Sequence, residues 1–233
     1  KLRRGRETIN NLWNDKISVI TGDFLFGQAS VKLGELENNE IVKIYANVLS
    51  DLCDGEIEQY SLLYNPSITW DQYIEKSTTK TASLFAAACK SPTILNNLNQ
   101  ESINMAERFG KSLGIAFQII DDIIDFTSKS EEAGKETCAD LKNGIVTAPT
   151  LYALNSSDER SKQLKILIES RFSKEQDFEK AIRLIFELGG CEKAKQLAYS
   201  YIVTAKESLS FVQNKEVKSS LLKCTDFVFN RLN

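Results

Sequence analysis

The sequence has 233 residues and no histidine, which excludes Ser-His-Asp and Cys-His catalysis and any metal site that needs an imidazole within these residues. Its 29 basic and 32 acidic side chains leave a net charge of −3, so the composition provides no general attraction for nucleic acid. The five cysteines are scattered and odd in number, which indicates free thiols in a reducing compartment inside the cell, either cytoplasm or mitochondrion.

Apolar residues recur at helical spacing along most of the chain, and helix breakers are few, with 3 prolines and 11 glycines. The predicted helical segments are, in chain order, 11–37, 41–60, 70–89, 102–126, 148–154, 164–171, 178–188, 191–209 and 217–232. Pro66 and Pro92 are expected in loops between helices, whereas Pro149 after Thr147 is typical of a helix start. The polar stretch from Thr127 to Gly144 predicts a mobile loop. Since no linker or repeat interrupts the pattern, we predict a single all-α domain over residues 1–233.

An acidic cluster near the end of the most apolar segment is the most informative local feature. Asp121 and Asp125 are four residues apart, so a helix directs both carboxylates the same way, with Asp122 about 100° round the axis. Oxygen ligands at this spacing suit a hard divalent cation such as Mg²⁺, which commonly bridges to substrate phosphates. The alternative is an acidic helix end that lies in water, and the motif alone divides about evenly between the two.

Cations elsewhere in the chain favour the first interpretation. Lys135 follows the aspartates in the polar stretch, Arg3 and Arg4 form a pair at the start, and Lys80 is followed by the hydroxyl of Thr81. Each of these cations taken alone is ordinarily a solvated side chain. A helical bundle that brought them together with metal-bound carboxylates would form a diphosphate site.

Taken in order, these residues resemble the trans-isoprenyl diphosphate synthase (polyprenyl synthetase) family, nearest to the long-chain members that make ubiquinone side chains. The segments that carry the resemblance are Arg3-Arg4-Gly5, Gly22-Asp23-Phe24-Leu25, Gly55-Glu56 with Gln59, Tyr73 with Lys80-Thr81-Ala82, Phe117-Gln118 with Asp121-Asp122-Ile123-Ile124-Asp125, and Gly189-Gly190 with Arg231. The resemblance implies a helical bundle of the isoprenoid synthase type around a central cavity.

The resemblance also implies an enzyme that elongates an allylic diphosphate by head-to-tail condensation with isopentenyl diphosphate, through Mg²⁺-assisted ionisation. The residues to which it assigns roles fall into three groups: Asp121, Asp122 and Asp125 as metal ligands; Arg3, Lys80, Thr81, Gln118 and Lys135 as contacts of the allylic diphosphate; and Arg4 at the isopentenyl diphosphate site. The small-residue run from Ala82 to Ala88 would line or support the channel for the growing chain.

Two departures from the family pattern leave alternatives open. The first aspartate-rich motif of the family should lie before Lys1, so we expect the 233-residue chain to lack its N-terminal helices and to be inactive alone. Ile145 stands where several short-chain relatives carry a lysine. The rival hypotheses are a non-catalytic subunit of a heteromeric synthase and, less favoured, a terpene cyclase. The resemblance implies a homodimer, although a heteromer is compatible with it, and a lipid-like product could bring the protein transiently to a membrane.

Overall fold

The structure is a computed structural model that describes residues 2–3, 6–127 and 137–232, without the side chains of residues 2 and 3. A short antiparallel hairpin opens the chain, in which β1 (Leu2–Arg3) pairs with β2 (Arg6–Glu7). The helices before the aspartate cluster are α1 (Ile9–Leu12), α2 (Asp15–Gly34), α3 (Asn39–Ser61), α4 (Trp70–Ser77), a π-helix (Thr78–Ala82) and α5 (Ser83–Leu95). The later helices are α6 (Gln100–Thr127), α7 (Ala139–Lys142), α8 (Ala148–Leu154), α9 (Arg160–Glu169), α10 (Asp177–Glu187), α11 (Gly190–Glu207), α12 (Lys215–Phe229) and a 3-10 turn (Asn230–Leu232).

Helix α6 is the central element of the bundle, and its most extensive contacts are with α5 on one side and α11 on the other. Its apolar residues, among them Ile115, Ile119 and Ile123, are almost completely buried in the main core. A second core lies between α8, α9 and α10 and includes Leu164 and Ile185. The end of α6 borders both cores, because Ile123 belongs to the first and Phe126 to the second.

The all-α prediction is confirmed, and the boundaries of most segments are close to the predicted ones. The first segment divides, because Asn14 accepts a hydrogen bond from the backbone N–H of Ile17 at 2.9 Å and so begins α2 anew. Pro66 lies in a turn as predicted. The prediction for Pro92 was wrong, since it lies within α5. As a proline it donates no backbone N–H to the carbonyl four residues earlier, and only the last turn of the helix follows it.

The stretch predicted as a mobile loop is only partly described. Residues 128–136 lie outside the described part of the chain, so that part of the prediction remains untested. Residues 139–142 form the short helix α7, where the sequence predicted irregular structure. Thr147 is the N-cap of α8 with Pro149 in its first turn, as predicted, although the threonine side chain makes no capping hydrogen bond.

Helix α2 has no buried residue, although much of its surface is apolar. Its exposed large hydrophobic side chains are Ile17, Val19, Ile20, Phe24, Leu25, Phe26 and Val31. Within the described residues, no helix is long and apolar enough to cross a membrane.

Candidate functional site

The three aspartates near the end of α6 occupy three different environments. The side chain of Asp121 is 55% exposed, Asp125 is half-buried and Asp122 is 2% exposed. The rotation of about 100° between successive residues of a helix explains why Asp122 faces the core while its neighbour faces outward. The motif therefore offers one accessible carboxylate and two that also serve the surrounding protein.

Both carboxylate oxygens of Asp122 accept hydrogen bonds from the protein. The hydroxyl of Tyr73 donates to Oδ2 at 2.7 Å, the backbone N–H of Ala148 donates to the same oxygen at 3.1 Å, and Nε2 of Gln118 donates to Oδ1 at 2.8 Å. Burial raises the pKa of Asp122 to about 6, although the charge of Lys76 and these hydrogen bonds act against that rise. Asp122 thus joins α4, α6 and the start of α8.

Asp125 interacts with the chain where it re-enters the described structure. The backbone N–H groups of Ala139 and Asp140 donate to its two carboxylate oxygens at 3.2 and 3.1 Å. N–H groups in the first turn of a helix have no acceptor within that helix, so Asp125 acts as a cap for α7 from another element. The aspartate motif therefore anchors the segment that follows residues 128–136.

Asp121 forms an ion pair with a residue at the opposite end of the chain. The guanidinium of Arg231 donates from Nη2 to Oδ1 of Asp121 at 3.0 Å, and it stacks over the ring of Phe117 with 4.4 Å to the ring centroid. The sequence indicated Arg231 only as part of a C-terminal signature and gave it no contact.

The π-helix carries Lys80 and Thr81 to the same region. Thr81 donates from its hydroxyl to Oε1 of Gln118 at 2.7 Å, so a chain of hydrogen bonds runs from Thr81 through Gln118 to Asp122. Short π-helical segments inside α-helices occur frequently at functional sites, because the wider turn redirects side chains. The hydrophobic periodicity did not predict this segment.

Helix α3 approaches the π-helix closely enough to bind the ammonium of Lys80. That ammonium lies 2.9 Å from Oε1 of Glu56 and 3.0 Å from Oε1 of Gln59. The approach requires glycine at position 55, because a Cβ there would lie 2.8 Å from the backbone nitrogen of Lys80. Glu56 and Gln59, which the sequence left undecided between site and scaffold, therefore contact a predicted site residue.

Hydrogen bonds join three of the site residues predicted from the sequence, Thr81, Gln118 and Asp122. Asp121 and Asp125 lie on the same helix as Asp122, whereas the ammonium of Lys80 pairs with Glu56 and Gln59 of α3. Arg4, Lys135 and the side chain of Arg3 lie outside the described residues.

Sequence reasoning missed the roles of Tyr73 and Lys76, which are buried beside Asp122. The spacing of residues 73, 76 and 80, which places them on one helical face, was the available signal.

The carboxylates of the aspartate motif fit a Mg²⁺ ion whose other ligands come mostly from the substrate. Among the described residues, no group of three or more acidic or cysteine side chains is placed to hold a metal ion. Mg²⁺ does not need such a cage, since it is usually bound by one or two carboxylates, several waters and substrate phosphates. Asp121 is the accessible carboxylate that meets this requirement, and its Oδ1 is paired with Arg231.

Comparisons with known proteins agree with this fold. Residues 1–185 match the model of the polyprenyl synthetase family. The chain is 42% identical to a prenyl transferase of Porphyra purpurea, covering 99% of this chain and 70% of that protein. It is 38% identical to solanesyl diphosphate synthase 2, chloroplastic, of Arabidopsis thaliana, covering 100% of this chain and 55% of that protein.

A crystal structure of a decaprenyl diphosphate synthase from Rhodobacter capsulatus superimposes with a TM-score of 0.89 at 32% identity, covering 100% of this chain and 72% of that one. The bundle, the aspartate cluster and these similarities lead to one assignment: the chain belongs to the polyprenyl synthetase family of trans-prenyltransferases.

Proposed function

We propose that this chain forms the allylic diphosphate site of a polyprenyl diphosphate synthase, which adds isopentenyl diphosphate head to tail to an allylic diphosphate. The observation that carries the proposal is the continuous set of hydrogen bonds from Thr81 through Gln118 to Asp122. The chain links the hydroxyl of the π-helix to the aspartate motif on α6, where Asp121 is the exposed carboxylate. In the reaction the allylic carbon–oxygen bond breaks, a carbon–carbon bond forms to isopentenyl diphosphate, and a proton is lost.

The residues divide between binding and support. Asp121 would hold Mg²⁺ together with substrate oxygens. Asp122 and Asp125 could take their predicted role as metal ligands only by giving up hydrogen bonds from the protein. Bound Mg²⁺ supplies Lewis-acid stabilisation of the charge on the departing diphosphate. Lys80, Thr81 and Gln118 bind and orient the diphosphate. The predicted roles of Arg3 and Lys135 at the same diphosphate, and of Arg4 at isopentenyl diphosphate, belong to the same proposal.

Two cavities along α3 support a channel for the growing chain. One of about 410 Å³ lies between α3, α5 and α6, and its lining includes Ala82, Ala86 and Ala87 from the small-residue run. A second of about 360 Å³ lies between α2 and α3 and is lined largely by apolar side chains such as Leu33 and Leu52. The apolar walls of the second cavity suit a polyprenyl chain, since they offer contact area without polar groups that need partners. The first cavity combines its small residues with charged ones, among them Asp51, Lys90 and Glu107.

The uncovered apolar side chains of α2 support association of the protein with a second copy. A contiguous apolar face of this kind is typical of an interface rather than of a surface that remains in water. We therefore propose a homodimer through this face, with a heteromer as the alternative. Localisation in the cytoplasm or mitochondrion stays a prediction, and three relatives are named chloroplastic proteins. A product destined for a quinone side chain is part of the same proposal.

Substitution of Asp121 tests the proposed catalytic site. Asp121→Asn in the full-length protein should lower Mg²⁺-dependent turnover by orders of magnitude with little change in unfolding temperature, because the side chain is exposed. Asp226→Asn is the matched control, since Asp226 is 56% exposed and pairs with Lys206 as Asp121 pairs with Arg231. Turnover near wild type in Asp121→Asn would contradict the proposed role.

A further inference from the structure

Lys76 is a buried cation to which the sequence assigned no role. Its residue exposure is 6%, and it lies on α4 between the buried side chains of Tyr73 and Ser77. Lysine is almost never buried to this extent unless an opposite charge or a ligand accompanies it. An opposite charge or a ligand is therefore expected beside Lys76.

The ammonium of Lys76 forms no hydrogen bond and no ion pair with any residue in the described part of the chain. Its defined contact is the face of the Tyr73 ring, whose centroid lies 5.3 Å from Nζ. Lys80, one helical turn later, differs in this respect, because Glu56 and Gln59 already bind its ammonium. Lys76, as a largely buried residue, thus holds three N–H donors that no acceptor in the described part of the chain occupies.

The charges that surround Lys76 belong to the candidate site. Burial lowers the pKa of Lys76, and Asp122 opposes that effect most strongly; Lys80, Asp140 and Glu58 also act on it. Asp122 is already satisfied by three protein donors. Two ammonium groups, Lys76 and Lys80, are consequently close enough to repel each other beside the aspartate motif. Such an arrangement becomes favourable when an anion with several oxygens lies against both.

We propose that Lys76 is a further diphosphate-binding residue, whose ammonium donates to an oxygen of the diphosphate that Thr81 and Lys80 also contact. The inference rests on the proposed function, because it names an additional contact at the same site. The ligand class is a diphosphate, either inorganic pyrophosphate or the head of an allylic diphosphate.

A purely structural role makes a different prediction. If Lys76 served only to balance the charge of Asp122, its replacement would affect stability and would act on ligand binding through Asp122 alone. A double-mutant cycle separates the two roles. Without Asp122, replacing Lys76 can still weaken ligand binding only if Lys76 contacts the ligand directly.

The test is calorimetric titration of inorganic pyrophosphate into the full-length protein in the presence of Mg²⁺. Lys76→Met keeps the length of the side chain without its charge and should weaken binding about tenfold, which corresponds to about 1.4 kcal/mol. Lys76→Arg keeps the charge and should retain most of the affinity. Lys193→Met, at an exposed lysine of α11, is the control and should bind as the wild type does.

The KM for farnesyl diphosphate should rise in Lys76→Met by a similar factor, with a smaller change in kcat. Adding Lys76→Met to Asp122→Asn should weaken pyrophosphate binding as much as it does in the wild type. If Lys76→Met alone fails to fold, the double variant can still be measured against Asp122→Asn, because no unpaired charge stays buried when both residues change.

Wild-type affinity in Lys76→Met, or no further loss in the double variant, overturns the inference while leaving prenyl transfer intact. A wild-type protein that neither binds pyrophosphate nor makes a prenyl product would instead overturn the proposed function.

Discussion

Gly114 lies where α6 comes closest to the π-helix, and the structure predicts that alanine there separates the two elements. A Cβ added at Gly114 would lie 2.6 Å from Cα and 2.8 Å from Cβ of Ala82, and 3.2 Å from Cβ of Phe85. Two of these three neighbours belong to Ala82, which has no flexible side chain that could move aside. Restoring ordinary carbon–carbon contact of about 3.5 Å requires a displacement of about 1 Å.

The expected cost follows from three contributions. Overpacking of this kind costs about 1 to 3 kcal/mol, and the upper end applies because the contact is with backbone. A displacement of about 1 Å would also break the hydrogen bond from Thr81 to Gln118, worth about 1 kcal/mol. Alanine in place of glycine in a helix returns about 1 kcal/mol. Gly114→Ala should therefore lower the free energy of unfolding by about 3 kcal/mol.

Urea unfolding followed by circular dichroism measures this change, with Gly22→Ala as the matched control. No atom lies within 4 Å of a Cβ added at Gly22, in the exposed helix α2, so that variant should gain about 0.5 to 1 kcal/mol. The two substitutions are chemically identical and should have opposite signs. Gly114→Ala as stable as the wild type would refute the argument that close packing positions the π-helix.

Two further predictions concern Asp122. The pKa of this carboxyl in the folded protein is about 6, above its ordinary value of 3.8, so the folded state binds the proton more tightly. Stability should accordingly fall by about 3 kcal/mol as pH rises from about 4 to above 6. Urea unfolding across this range in metal-free buffer should show that loss in the wild type and not in Asp122→Asn, and parallel curves would contradict it. Tyr73→Phe removes the 2.7 Å hydrogen bond to the carboxylate and should destabilise the protein by about 2 kcal/mol at pH 8. An unchanged urea midpoint would show that the remaining donors suffice.

The sequence predicted the helices well where the pattern of apolar residues is regular. It also predicted that Asp122 points about 100° away from Asp121, although not that Asp122 is the buried one. The resemblance assigned Lys80, Thr81 and Gln118 to one site, and in the structure a hydrogen bond joins Thr81 to Gln118.

Other features depend on packing between distant elements and were not accessible from local pattern. The π-helix arises where α3 and α6 both approach residues 78–82, through glycines at positions 55 and 114. The pairing of Asp121 with Arg231 joins residues 110 positions apart, which no spacing rule anticipates. The exposure of α2 could not be predicted either, because a helical pattern shows that a face is apolar but not which surface covers it.

Incorporation of labelled isopentenyl diphosphate into extractable product tests the central claim most directly. The full-length protein would receive Mg²⁺ and farnesyl diphosphate as primer, and a parallel sample would contain EDTA. The account predicts a polyprenyl diphosphate several isoprene units longer than the primer, formed only with Mg²⁺. A folded protein that yields no such product would contradict the account and would favour a non-catalytic subunit that needs an active partner.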